Sequence, residues 1–268
     1  MTRYFSIRIF LPCAVIFAAV FFFASGVIQK TFYEVPILMY HRVNDFSELS
    51  ALAVSPKIFE RQMEFLKLHR YRVTELSTLI QWIKTGQKIP SKTVVITFDD
   101  GYQDNFQHAF PVLKKMNFPA TIFMISSNVN EPEWLSEEDL RILDEAQIMI
   151  GSHTAHHAFL PNVSLQDAKI ELVDSKKELE KILGHPVTLF SYPAGGLTGD
   201  IERQVKEIGY QGAVTTNYQK NRHNPYALHR IKISNSSGNL FNFWIKLSGY
   251  YHLGKKRVMA SGSNDKGR

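Results

Sequence analysis

Thr93-Val94-Val95-Ile96-Thr97-Phe98-Asp99-Asp100-Gly101 is the stretch that decides the fold of this chain. An unbroken run of β-branched and aromatic residues marks a strand covered on both faces, as in a parallel sheet. Two carboxylates and a glycine follow at once. In parallel α/β folds, ligands bind beyond the carboxyl ends of the strands, so the pair stands where chemistry gathers. Adjacent carboxylates there repel each other and lose hydration. A bound cation would relieve both, one carboxylate ligating it while its neighbour takes a proton from water. Asp-Asp-Gly is equally ordinary turn chemistry, and taken alone the stretch leaves both meanings open.

Outward from it, strands and helices alternate. Val35–Tyr40 reads as a first short strand, and Ser55-Pro56 opens a helix carrying Phe59, Met63, Phe65 and Leu66 at helical spacing. Phe106 to Met116 predicts a helix stopped by Asn117 and Pro119. Ala120–Ile125 is the next strand, Leu135–Ala146 a helix and Ile148–Ile150 a strand. Ser164 begins a long amphipathic helix that ends near Gly184. Val187–Phe190, Gly212–Thr215 and Leu228–Ile233 read as strands, with a helix over Asp200–Ile208. Repeated βα order predicts an α/β protein with a parallel sheet or barrel.

Two further motifs follow strands. In Ser152-His153-Thr154-Ala155-His156-His157, His153 and His157 are four apart. If the stretch is helical, both imidazoles share a face and His156 points away. With Asp100 they compose a two-histidine, one-carboxylate site with open positions for water and substrate. Phe190-Ser191-Tyr192-Pro193-Ala194-Gly195-Gly196 is a glycine-rich loop. It suits either a plain turn or close approach of backbone N–H groups to a developing oxyanion.

Composition bounds the rest. A chain of 268 residues with 44% hydrophobic and 21% charged residues is globular, of a length that suits one α/β barrel. The single cysteine, Cys13, excludes an intramolecular disulfide and a cysteine-based zinc site, so any metal falls to His, Asp or Glu. The net charge of +6 reads as a mildly basic surface with its excess at the chain ends, and no nucleic-acid partner is expected. Arg3 and Arg8 precede a charge-free run of 20 residues, Ile9–Ile28, long enough to span a bilayer. Ala24-Ser25-Gly26 offers a site for signal peptidase. Residues 1–30 therefore read as a membrane anchor or cleaved signal, 31–254 as an exported domain facing the periplasm or exterior, and 255–268 as a basic, disordered tail.

The order strand-TFDDG, then SHTxxH, then YPxGG resembles the polysaccharide deacetylases, the NodB-homology domain of carbohydrate esterase family 4, over roughly Pro36 to Ile233. The early Ile37-Leu38-Met39-Tyr40-His41 is similar to the circularly permuted subgroup that includes poly-N-acetylglucosamine deacetylases. The resemblance implies an irregular (β/α) barrel of seven strands that removes N-acetyl groups from an N-acetylglucosamine-type polysaccharide. It implies one divalent metal ion, zinc first, with cobalt or nickel as alternatives. Asp99 would be the general base; Asp100, His153 and His157 the metal ligands; and the Ala194 N–H a partner of the oxyanion. His41 is expected to be the general acid, with His229 as the alternative.

Two positions depart from the family pattern. Ser191 stands where many members carry an arginine that contacts the catalytic aspartate, and Ala194 where a tyrosine is frequent. The late Leu-x-His motif is displaced by one at Leu228-His229-Arg230. Tyr102 and Trp134 are candidates for stacking on sugar rings or for the core. Competing expectations are a non-catalytic carbohydrate-binding protein on this scaffold, a small-molecule amidase, and a glycoside hydrolase, the last disfavoured by the histidine pair.

Overall fold

The computed structural model describes residues 34–45, 52–217 and 223–251. Cys13, the apolar run Ile9–Ile28 with its Ala24-Ser25-Gly26 segment, and the tail 255–268 lie outside the described residues. Among the described residues, no helix is long and apolar enough to cross a membrane.

The elements run β1 (Ile37–Tyr40), β2 (Arg42–Val43), β3 (Ala53–Val54), α1 (Pro56–Leu68), β4 (Arg72–Val73), α2 (Leu76–Thr85) and β5 (Thr93–Phe98). A π-helical turn, Asn105–Ala109, leads into α3 (Phe110–Met116), then β6 (Ala120–Met124), α4 (Glu137–Glu145), β7 (Ile148–Ser152) and α5 (Leu165–Leu183). The chain continues through β8 (Leu189–Ser191), α6 (Gly199–Glu207), β9 (Gly212–Thr215), β10 (Leu228–His229), β11 (Ile231–Lys232) and α7 (Leu240–Lys246). Local chemistry sets the boundaries. Ser55 and Ser164 accept N–H bonds from Ile58 and Asp167 at the starts of α1 and α5. Asn117 and Gly184 stop α3 and α5 in the left-handed conformation.

The strands join in the order β10-β9-β8-β7-β6-β5-β1-β11, all neighbours parallel, with β4 paired on β5. The two ends of this path are chain neighbours: β10 pairs with β9, β11 pairs with β1, and only Arg230 separates them. The sheet is thus a nearly closed barrel. Its path holds eight strands rather than seven, because the last stave breaks at Arg230 into two short ladders. Also unanticipated are the short strands β2, β3 and β4 and the helix α2.

Alternation along each strand then sorts the side chains. Ile37, Val95, Phe123, Leu189, Val214 and Leu228, from six different strands, pack together with Leu76, Leu79 and Ile80 of α2. They fill the barrel interior, and α2 plugs its lower mouth. Leu38, Ile96, Ile122, Ile150 and Phe190 face the opposite way, onto the surrounding helices. Gly151 leaves room for this packing, since a Cβ there would lie 2.5 Å from the Phe123 ring. Two and four residues on from the apolar floor, the same inward positions become polar: Thr97 and then Asp99 above Val95, Ser191 above Leu189, and Arg230 above Leu228.

Candidate active site

Three loops at the carboxyl ends of β5, β7 and β8 carry the predicted residues, and each holds a non-glycine residue at positive φ: Asp100 at 72°, Thr154 and His157 at 65° and 57°, and Ala194 at 50°. Such conformations cost energy and persist where the surroundings enforce them, commonly at functional sites. At Asp100 and Gly101 the chain turns, and glycine suits position 101, where φ is 78° and a Cβ would meet Met124 Sδ at 2.0 Å. His153 and His157 meet without a helix. Residues 153–157 form an irregular loop, so the four-residue spacing works through two left-handed residues instead.

Asp100 Oδ1 lies 3.6 Å from both His153 Nε2 and His157 Nε2. One donor atom from each of these three residues falls within 4.8 Å of the others. The His153 Nδ1 is 2.7 Å from the Ser191 carbonyl and donates to it, leaving the Nε2 lone pair toward Asp100. Burial lowers the His153 pKa against the pull of Asp99 and Asp100, which favours the neutral, ligating imidazole. Donor atoms around a tetrahedral zinc, with bonds of about 2.0–2.1 Å, stand about 3.3 Å apart, and the two separations of 3.6 Å from Asp100 Oδ1 come near that spacing. His156 is turned away, as expected. It is exposed and bound to Glu171 through both its backbone N–H and its ring Nδ1, each at 2.8 Å.

Asp99 is 3% exposed and is gripped by Arg230, itself 2% exposed. The guanidinium donates to both carboxylate oxygens, NH1 to Oδ1 at 2.6 Å and NH2 to Oδ2 at 2.5 Å. Burial opposes charge on Asp99, but Arg230 outweighs it and holds the carboxyl well below the usual carboxylate range. Sequence reasoning singled out the segment Leu228-His229-Arg230 for its histidine and missed the arginine. The available signal was strand alternation: Arg230 shares a face with the inward Leu228.

His41 follows β1. Its backbone carbonyl accepts a 2.7 Å bond from Asn105 Nδ2 in the π-helical turn, and its buried Nδ1 has no hydrogen-bond partner among the described residues. Tyr40 pairs with Phe98 in the parallel register of β1 and β5, and the Asp99 N–H donates to the Tyr40 carbonyl at 3.0 Å, so His41 leaves its strand beside Asp99. Burial lowers its pKa, while Asp99 and Asp100 pull it upward. His229 lies in β10 beside the inward Arg230, so alternation sets it on the opposite face. Ala194 is exposed at the apex of its loop, while the Gly195 and Gly196 N–H groups are spent on the carbonyls of Tyr192 and Pro193. Tyr102 and Trp134 sit side by side, rings 5.7 Å apart, with the Arg42 guanidinium 4.0 Å above Tyr102.

Fold and site together define a class: a barrel hydrolase with a carboxylate base candidate beside a two-histidine, one-carboxylate group that could hold a metal ion. The family model for polysaccharide deacetylases matches residues 86–213. The Bacillus subtilis protein YxkH is 36% identical over 216 residues, which cover 80% of this chain and 76% of that relative. A Staphylococcus aureus poly-beta-1,6-N-acetyl-D-glucosamine N-deacetylase is 29% identical over 234 residues, covering 75% of this chain and 79% of the relative. Among solved structures, the Streptococcus pyogenes deacetylase PplD in complex with acetate superposes with a TM-score of 0.74 at 25% identity, covering 81% of this chain and 99% of that one. The chain belongs to the polysaccharide deacetylase family, hydrolases of amide bonds.

Proposed function

We propose that the protein removes acetyl groups from a polymer of N-acetylglucosamine outside the cytoplasm. The observation that carries this is the convergence of Asp99 with Asp100, His153 and His157 at one mouth of the barrel. Similarity to the staphylococcal deacetylase supports a β-1,6-linked polymer as the first substrate to try. Asp100, His153 and His157 would hold the divalent ion, with zinc favoured by two imidazoles and one carboxylate. When bound, the ion supplies Lewis-acid polarisation of the acetyl carbonyl and a more acidic water.

The chain's own groups divide the remaining work. Asp99, ionised under its arginine, accepts a proton from water as the water oxygen adds to the acetyl carbon. The Ala194 N–H donates to the oxygen that becomes negative. His41 donates a proton to the sugar nitrogen as the C–N bond breaks, giving acetate and a free amine. Its place at the end of β1 beside Asp99 and Asp100, against the outward His229, favours it as the acid. Arg3, Arg8 and the run Ile9–Ile28 support export.

The test is acetate release by the zinc-loaded protein from β-1,6-linked N-acetylglucosamine oligomers, chitin oligomers and N-acetylglucosamine itself. Release from the β-1,6 oligomers above the others is expected. Release from the monosaccharide alone would replace the polymer with a small-molecule substrate. A carboxy-terminal reporter active only in the cytoplasm would overturn the location.

A further inference from the structure

The helix α7 spends one side on the barrel and leaves the other bare. Phe243 is fully buried and packs edge-on against Phe65 of α1, ring centroids 5.9 Å apart. Phe241, Trp244 and Ile245 stand three and four positions apart on the other side, which makes them surface neighbours. All three are exposed, Phe241 at 63% and Trp244 at 49%. Their rings meet at 5.8 Å, so they form one patch. Single exposed apolar residues are ordinary, but adjoining large ones mark a contact surface. Leu68 of α1, one turn on from Phe65, is exposed as well.

The charge on this part of the chain has one sign. Asp and Glu are absent from residues 208–264, and Lys255-Lys256-Arg257 follows shortly after α7. Lys67 and Arg70, both exposed, stand on either side of Leu68 in the chain. Exposed tryptophan and aliphatic side chains rimmed by Lys and Arg are the composition of a surface that lies in a bilayer interface, rings at headgroup level and cations on anionic headgroups. A polyanionic polymer would satisfy the cations but leave Phe241 and Ile245 in water. A second copy would set basic chain against basic chain. The sequence also carries a run of bilayer length, Ile9–Ile28, which would bring the protein to lipid.

We propose that the bare face of α7, Phe241, Trp244 and Ile245, docks in the headgroup region of an anionic phospholipid bilayer, with Lys255-Lys256-Arg257 as its electrostatic partner. Contact there leaves the catalytic mouth open. α1 starts near that mouth, where the Ser55 N–H donates to Asn235 Oδ1, just past β11, at 3.0 Å. It ends at the opposite mouth, where Arg72 pairs with Thr93 at the start of β5. Lys67, Leu68 and Arg70 therefore stand at the far end of the barrel from Asp99. The face shares no residue with the candidate active site, so it stands or falls apart from the deacetylase reading.

The test reads tryptophan emission of the full chain reconstituted with vesicles of phosphatidylglycerol and phosphatidylcholine, with and without acyl chains brominated near the headgroup. The chain has three tryptophans, Trp82, Trp134 and Trp244, so comparison with Trp244→Phe isolates the one on α7. Brominated lipid is expected to quench wild type more than Trp244→Phe. That excess shrinks severalfold in Phe241→Ser, in pure phosphatidylcholine, and when Lys255, Lys256 and Arg257 are all replaced by Gln, since each basic residue near an anionic surface is worth about fivefold in partition. Equal quenching of wild type and Trp244→Phe overturns the proposal. So does a Trp244 emission that is blue-shifted but unquenched, which would show the face covered by the chain's own tail or by a second copy. An excess equally large in phosphatidylcholine overturns the anionic partner. Flotation of Trp244→Phe with the vesicles, without any excess quenching in wild type, leaves the run Ile9–Ile28 as an anchor and removes the contact through α7. Acetate release from soluble oligomers is expected to be unchanged in Trp244→Phe, and a loss there contradicts the separation of this face from the catalytic mouth.

Discussion

Glu171 is expected to govern metal affinity although it touches no metal ligand. It projects from α5, and its carboxylate takes the His156 N–H at 2.8 Å and the His156 ring at 2.8 Å, while its own carbonyl takes the Ala155 N–H at 3.2 Å. Those bonds fasten the middle of the loop whose ends are His153 and His157. Glu171→Ala removes the two side-chain bonds. A hydrogen bond from a backbone N–H to a charged group is worth about 1.5–3 kcal/mol. The ring contact adds little, because the His156 side chain is 71% exposed and solvent screens it. Two left-handed residues, Thr154 and His157, add strain that the freed loop will release. If most of that ordering energy is expressed in binding, zinc affinity falls by about 10–100-fold, the range found for groups that orient metal ligands. The assay is competition for zinc against a chromophoric chelator at constant pH. His156→Ala is the control: it keeps the backbone N–H bond and is expected to lose less than about threefold. Affinity in Glu171→Ala within a factor of two of wild type would refute the clamp.

Three further outcomes are expected. His41→Ala lowers kcat by about 100-fold or more, the usual scale for loss of a general acid, and leaves zinc content intact, whereas His229→Ala leaves kcat near wild type; the reverse pattern, read from steady-state rates, would reassign the acid. Gly195→Ala destabilises by about 2–5 kcal/mol, combining left-handed backbone strain with overpacking: φ is 71° and the new Cβ would stand 2.1 Å from Thr216 Oγ1 and 2.9 Å from the Thr216 backbone nitrogen. Urea unfolding measures it, and a loss below about 1 kcal/mol contradicts the close approach. Because Asp99 is held below its ordinary value of 3.8, its contribution to stability is complete above that pH and is lost as pH falls toward the depressed value. The stability gap between metal-free wild type and Asp99→Asn therefore narrows at pH 3 relative to pH 7, and a gap that widens on acidification would be inconsistent.

Much of the molecule is legible along the chain because its signals are local. The run Thr93–Phe98 declares a buried parallel strand by composition alone, and it is one. Ser55 and Ser164 before apolar periodicity mark helix starts, and they are the caps observed. Asp100, His153 and His157 lie in the loops that leave β5 and β7, and parallel strands bring such loops to one mouth. Where the local argument assumed a helix, between His153 and His157, it failed. The loop's shape is imposed by partners distant in sequence: the Thr154 and Ala155 carbonyls accept bonds from Ser126 and Ser127, and Glu171 holds His156. The helix α2 went unread for a similar reason, since its apolar face finds its use only as the plug of a closed barrel.

By itself, then, the sequence determined the βα alternation and the candidate donor set Asp100, His153 and His157, because hydrophobic period, capping and residue chemistry act within a few neighbours. Only the tertiary structure decided what stands beside Asp99. A serine at position 191 suggested a base without its cation. Ring closure overruled that: the segment Leu228–Lys232 fastens to β9 at one end and β1 at the other. Its break at Arg230 turns that side chain inward and carries a guanidinium to a carboxylate 131 positions earlier in the chain. No local pattern encodes that meeting, since it depends on how many strands close the ring and on which residue of the last stave faces the interior.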